Sequence, residues 1–291
     1  MPSFPEDLET SIAKALGQSQ WHATRVSGGD IHQAFRLELP DGRRFFCKWN
    51  VECHNTMFGT EARGLQWLAS SQTIRIPQVV DHGSDSKRSG FLLLEWMNPR
   101  QSNNISDQRL GRQLAALHSA TPSSFGMDHD NFIGTLPQSN TTHHQWAPFF
   151  WQERLLPQIE MASAAGRLPQ SIRVRFDQLH AVLADRVGPA EPPARLHGDL
   201  WSGNVLVTDN NTPVLIDPAV YGGHREIDLA MMRLFGGFSS HVFGAYAEAF
   251  PLAPGSNQRV DLYQIYPLLV HLNLFGTSYL GAVERALNSQ L

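Results

Sequence analysis

The pattern of apolar residues changes character near residue 97, from mainly strand-like to mainly helical, and that change restricts the fold more than any other feature. Before it, short runs alternate apolar and polar side chains with the period of two that half-buried strands require, at residues 21–27, 31–39 and 43–49, and 78–81 and 91–96 read as two further strands. Pro40-Asp41-Gly42, between the second and third runs, signals a hairpin: proline presets a negative φ and glycine supplies the positive one. Residues 5–17 and 57–70 carry helical spacing instead. Beyond 97, a polar connector at 98–104 leads into helical patterns at 105–119, 145–165, 170–187, 225–235 and 259–286. Two short strands, 205–208 and 214–216, flank the turn Asp209-Asn210-Asn211 inside that region. The expectation is an α+β chain of two lobes: a small antiparallel-sheet lobe over 1–97 and a larger, mainly helical lobe over 98–291.

Composition narrows what such a chain does. Its 291 residues are 42% apolar, enough for two cores, and 23 basic against 27 acidic side chains leave a formal charge of −4. A general nucleic-acid binder needs a basic surface to displace phosphate counterions, so that class is excluded. The richest apolar stretch, 266–280, is broken by His271, Asn273 and Gly276 and falls short of a membrane span. Cys47 and Cys53 cannot build a disulfide framework, and the first residues lack the basic and apolar regions of a signal peptide. The expectation is a cytoplasmic protein, monomeric or weakly dimeric, with neither nucleic acid nor membrane as partner. Cys53-His54 and His143-His144 do not supply the spaced set of four ligands that a structural zinc site uses.

The densest chemical signal is Leu196-His197-Gly198-Asp199-Leu200-Trp201-Ser202-Gly203-Asn204, followed by an apolar strand ending in Ile216-Asp217-Pro218. Phosphoryl transfer from a nucleotide needs a carboxylate to orient or deprotonate the attacking hydroxyl, and oxygen ligands to hold magnesium against the phosphates. Asp199 is the candidate base, and Asn204 and Asp217 are the candidate Mg2+ ligands. The step from Asp199 to Asn204 equals the aspartate-to-asparagine step of the kinase catalytic loop. Upstream, Gly28, Gly29 and Asp30 lie between two strands, where glycines let backbone N–H groups approach the phosphates of ATP. Lys48 interrupts an apolar strand, and Glu61 lies on the apolar face of the 57–70 helix, three residues after Phe58 and four before Leu65. A strand lysine paired with a helix glutamate positions the α- and β-phosphates in kinase-like folds. Glu95, Trp96 and Met97 fall where the inter-lobe connector would meet adenine through its backbone, with the nucleotide expected between the halves.

Departures from protein kinases indicate the acceptor. Gly198 stands where those enzymes carry arginine, Pro218-Ala219 follows Asp217 in place of Phe-Gly, and no Ala-Pro-Glu segment comes downstream. Asp228 opens a helix almost at once and is expected to hold the catalytic loop through its backbone N–H groups. Trp201, two residues beyond Asp199, is a candidate for contact with the acceptor, packing being its other possible use.

Taken with Asn131-Phe132-Ile133-Gly134-Thr135-Leu136-Pro137-Gln138, Trp146, Phe149-Phe150, Arg154-Leu155 and Gly223-His224-Arg225-Glu226, these motifs cover nearly the whole chain. Together they resemble the fructosamine kinase (ketosamine-3-kinase) family, related to aminoglycoside phosphotransferases and choline kinases. The resemblance implies a bilobal protein-kinase-like fold. It also implies ATP-dependent, magnesium-dependent phosphorylation of the 3-hydroxyl of small or protein-bound ketosamines such as fructosamine or ribulosamine, serving deglycation. The alternatives are an aminoglycoside- or choline-type phosphotransferase, whose polycationic substrates in the aminoglycoside case call for a more acidic helical lobe than 145–190 offers, or a non-catalytic kinase-fold binding module.

Overall fold

A computed structural model describes residues 6–26, 32–51, 54, 56–84 and 89–291. The chain forms two compact units, and the division is not a single cut: residues 1–106 group with 203–218, and 107–202 group with 219–291. The segment 203–218, placed in the second half by the change of period, thus packs with the first.

The first unit is built on a five-stranded antiparallel sheet, β1 (His22–Arg25), β2 (Gln33–Glu38), β3 (Arg44–Asn50), β4 (Val79–Ser84) and β5 (Gly90–Glu95), in the order β1-β2-β3-β5-β4. Alternation along β3 assigns its faces. Cys47 and Trp49 pack with Phe35, Leu37 and the α1 helix (Glu6–Leu16), whose Leu8, Ile12 and Leu16 recur at helical spacing and are buried. Each such side chain contributes roughly 1.5–3 kcal/mol by leaving water. Lys48 faces the other side, toward the α2 helix (Met57–Ala69). β5 is buried at every position but its last, as a strand covered on both faces must be. The hairpin of Val205–Thr208 and Thr212–Leu215 turns through a short 3-10 segment in which Asn210 and Asn211 take positive φ, a conformation asparagine tolerates. Backbone bridges from Arg75 to Val214 and from Arg100 to Val207 tie this hairpin to the first unit.

The second unit is helical: α3 (Asn104–Ser119) from residue 107 on, α4 (146–164), α5 (Gln170–Arg186), α6 (Glu226–Leu234), α7 (Ser240–Ala249), α8 (Ser256–Phe275) and α9 (Leu280–Asn288). Within α4, residues Phe150–Leu155 are wound as a π-helix, and Phe150, Trp151, Arg154 and Leu155 are all buried there. Trp146 stacks on Phe149 and Phe150 at 5.6 and 5.2 Å, within a core that includes Tyr263 and Leu269. Three features depart from the sequence expectation. The single helix expected at 259–286 is two, because Gly276 takes φ +95° and a 3-10 turn, Thr277–Tyr279, intervenes. Helix α7, started by Ser239 accepting the His241 N–H, had no counterpart. The three-residue strand pairs Asn131–Ile133 with Leu136–Gln138 and Ala194–Leu196 with Tyr221–Gly223 are too short to display a period.

Candidate active site

The first unit gathers three of the expected site residues around one ammonium group. Lys48 Nζ lies 2.8 Å from Glu61 Oε1 and 2.8 Å from Asp217 Oδ1. Lys48 reaches them because the strand period turns it away from the α1 side, and Glu61 because it occupies the inward stripe of α2. Burial opposes the charge on Lys48, but the carboxylates of Asp217 and Glu61 outweigh it and its pKa moves up. Glu61 also moves up: burial is the largest cause, and one lysine shared between two carboxylates does not offset it. Asp217 sits just beyond the Thr212–Leu215 strand with φ +54°, a conformation few aspartates adopt. Asn204 is buried in the same unit, its amide nitrogen 3.4 Å from the Asp217 carbonyl, and its own carbonyl accepts the Ile216 N–H.

Among the described residues no cluster of three or more His, Cys, Asp or Glu could hold a metal alone. Asn204 and Asp217 offer one amide oxygen and one carboxylate. That donor set suits magnesium, which keeps several waters and is held by one or two carboxylates together with substrate phosphates.

Gly28, Gly29 and Asp30 lie outside the described residues. At the end of β5 the Glu95 carboxylate is taken by Arg75 Nη2, at 2.5 and 2.6 Å, and also accepts the Gln78 N–H. Adenine recognition there would therefore rest on main chain. Trp96 donates its indole N–H to Asn98, with the Arg36 guanidinium 5.7 Å from its ring, and Met97 is half-buried. Cys47 is buried beside Lys48, and burial pushes its thiol pKa well up, as an inert core cysteine requires.

The second unit carries Asp199 on a loop fixed from below. Asp228, fully buried, accepts the N–H of His197 at 2.8 Å and of Gly198 at 2.9 Å, one on each oxygen. Burial works to raise the Asp228 pKa, but the His118 hydrogen bond and the charges and N–H groups around it prevail and hold it low. His118 was not singled out in the sequence: its Nε2 lies 3.2 Å from Asp228 and its Nδ1 2.8 Å from the Tyr246 hydroxyl. The signal available was a histidine on the inward face of the 105–119 pattern. Gly198 has φ +83°, and a Cβ there would stand 2.0 Å from the Ala219 carbonyl oxygen, so only glycine fits. Asp199 itself is half-buried, and its carbonyl accepts the Trp201 N–H. Trp201 is 41% exposed, which removes packing as its main use.

With this geometry in place, the solved structures define the class. Aminoglycoside phosphotransferase APH(4)-Ia, in a ternary complex of a thermostable mutant with ADP and hygromycin B, superposes with a TM-score of 0.64 at 16% identity, over 97% of this chain and 98% of that one. A crystal structure provisionally named fructosamine-3-kinase, from Thermobifida fusca, gives a TM-score of 0.89 at 36% identity, over 99% of both chains. The protein is a phosphotransferase with the α+β, protein-kinase-like fold. The fructosamine kinase family profile matches residues 6–291, and a "Probable ketoamine kinase" of Synechocystis sp. is 42% identical over 294 residues, 100% of this chain and 98% of the relative. The chain belongs to the fructosamine kinase family.

Proposed function

We propose that the protein transfers the γ-phosphoryl group of ATP to the 3-hydroxyl of ketosamines, the adducts formed between sugars and amines. The observation that carries this reading is Lys48 Nζ held 2.8 Å from both Glu61 and Asp217, the constellation that a phosphate-gripping lysine needs, in a chain whose relatives bear the name ketoamine kinase. Asp199 accepts the proton of the attacking hydroxyl as its oxygen bonds to the γ-phosphorus. The bond from that phosphorus to the β,γ-bridging oxygen breaks, and ADP leaves. Asn204 and Asp217 would hold magnesium, which supplies positive charge against the phosphates. Lys48 steadies the α- and β-phosphates, with Gly28, Gly29 and Asp30 donating backbone contacts. Trp201 offers its exposed face to the sugar or to the cationic amine. The phosphate placed on the 3-hydroxyl is a leaving group, so the product decomposes and frees the amine, which makes the role deglycation.

The test is a mass-shift assay with ATP and magnesium across ribulosamine, fructosamine, an aminoglycoside and choline. One added phosphate on the ketosamines supports the reading, and phosphorylation of the aminoglycoside alone overturns it. Stabilisation by ATP with no phosphorylated product would leave a nucleotide-binding module instead.

A further inference from the structure

Beneath the Asp199 loop lies a buried polar network to which the chemistry above assigns no role. Asn131 and Gln138 face each other in register across a three-residue hairpin and are 5% and 2% exposed. Gln138 Nε2 donates to the Ala219 carbonyl at 3.1 Å and to Asn131 Oδ1 at 2.7 Å, and Asn131 Nδ2 donates to the Val220 carbonyl at 2.8 Å. The Tyr266 hydroxyl donates to Gln138 Oε1 at 2.5 Å. Asn140 Nδ2 donates to Asn131 Oδ1 at 3.1 Å, and the fully buried Arg154 donates from Nη2 to Asn140 Oδ1 at 2.6 Å. The orientation of Asn131 follows from its neighbours: two amide nitrogens approach its oxygen and a carbonyl faces its nitrogen, so a flipped amide would break three bonds.

The network terminates on functional backbone. The Ala219 N–H donates to the His197 carbonyl at 2.9 Å, and the Ala219 carbonyl is the atom that closes on Gly198. Residues 219–220 are therefore gripped through their carbonyls from one side and joined to the catalytic loop on the other. They also follow directly on Asp217-Pro218 in the chain, where proline fixes one of the intervening torsions. Burying three amides and a guanidinium costs desolvation that an apolar filling of the same space would avoid, so a stability role alone does not account for them.

We infer that Asn131 and Gln138 are positioning residues for phosphoryl transfer: by fixing the Ala219 and Val220 carbonyls they set the loop that carries Asp199 and the chain that leaves Asp217. This rests on the function proposed above. Asn131→Asp tests it, because the carboxylate keeps the acceptor for Gln138 and Asn140 and deletes the donor to Val220. Affinity for ADP is measured by calorimetry with magnesium and in EDTA, alongside kcat on a ketosamine. The expected result is EDTA affinity within about twofold of wild type, a magnesium-dependent gain reduced about tenfold, and kcat lowered about tenfold or more, the scale of one lost buried hydrogen bond. Asn273→Asp is the control. It breaks a buried amide pair of similar kind, Asn273 Nδ2 to Gln158 Oε1 at 2.8 Å, and should lower Tm without moving the magnesium response. A wild-type magnesium response in Asn131→Asp, or an equal change in Asn273→Asp, overturns the inference. Should Asn131→Asp not fold, Gln138→Glu removes the donor to both Ala219 and Asn131 and is read the same way. Wild-type protein lacking any magnesium-dependent nucleotide affinity would overturn the functional reading itself, before any variant is compared.

Discussion

Lys48 and Asp217 are 169 residues apart in the chain, yet the ammonium and carboxylate lie 2.8 Å from each other, with Glu61 at the same distance from the same nitrogen. A cation shared by two carboxylates, one from an α-helix and one from the end of a hairpin, joins the sheet to the segment that also carries Asn204.

Replacing Lys48 by Met should raise KM for ATP more than tenfold, while Glu61→Gln, which leaves the lysine paired with Asp217, should raise it less. Initial rates across ATP concentration measure both, and an ATP dependence unchanged in Lys48→Met would refute the phosphate-binding role.

Asp199→Ala should leave ADP affinity nearly intact and lower kcat on the order of a hundredfold or more, the usual worth of a positioned acid or base. Calorimetry and steady-state rates separate the two effects. Turnover near that of wild type would remove Asp199 from the mechanism.

Two glycines with positive φ should respond differently to alanine. At Gly198 the new Cβ meets the Ala219 carbonyl oxygen at 2.0 Å, whereas at Gly236, φ +69°, nothing lies within 4 Å. Gly236→Ala should cost only the roughly 1–2 kcal/mol of a left-handed alanine. Gly198→Ala should cost more than that and depress kcat, since the 219–220 backbone has to move. Urea unfolding of both variants supplies the comparison, and equal costs would contradict it.

Acid should weaken the second unit through His224. Burial is the largest cause of its lowered pKa, about 4; Glu191 pulls upward, and Arg259, Arg225 and His118 push down further. Its Nδ1 lies 3.3 Å from the Glu226 backbone nitrogen, and its ring stacks 5.2 Å from Tyr263. Because the folded value lies below the ordinary 6.5, the unfolded chain takes the proton first as pH falls. The stability contributed is complete above about pH 6.5 and is lost toward pH 4, by up to about 3 kcal/mol. Urea midpoints at pH 7.5 and 5.0 should therefore differ by less in His224→Gln than in wild type, and identical differences would exclude this histidine as a source.

Much of the candidate site could be read from local pattern. Lys48 inside an apolar strand and Glu61 on an apolar helix face each break a simple period, and a charge that breaks a period must find a partner. Asp228 was legible from its place at the start of a helix that follows closely on Asp217. The His118 partner was not, because a histidine on a helical stripe is compatible with plain packing until Asp228 and Tyr246 are brought to it from more than a hundred residues away. Glu95 shows the opposite case: its position in the chain suits a nucleotide connector, but its side chain is claimed by Arg75.

Sequence alone determined the two kinds of architecture, the chain order of the glycines, Lys48, Glu61, Asp199, Asn204 and Asp217, and the family resemblance, because periodicity and motif spacing are local properties that survive without coordinates. Only the tertiary structure decided that 203–218 packs with the sheet, that Asp217 shares the Lys48 ammonium, and that the amides of Asn131 and Gln138 end on the backbone beside the Asp199 loop. Those pairings depend on where distant segments meet, and hydrogen bonds between buried polar groups leave no periodic trace in the chain.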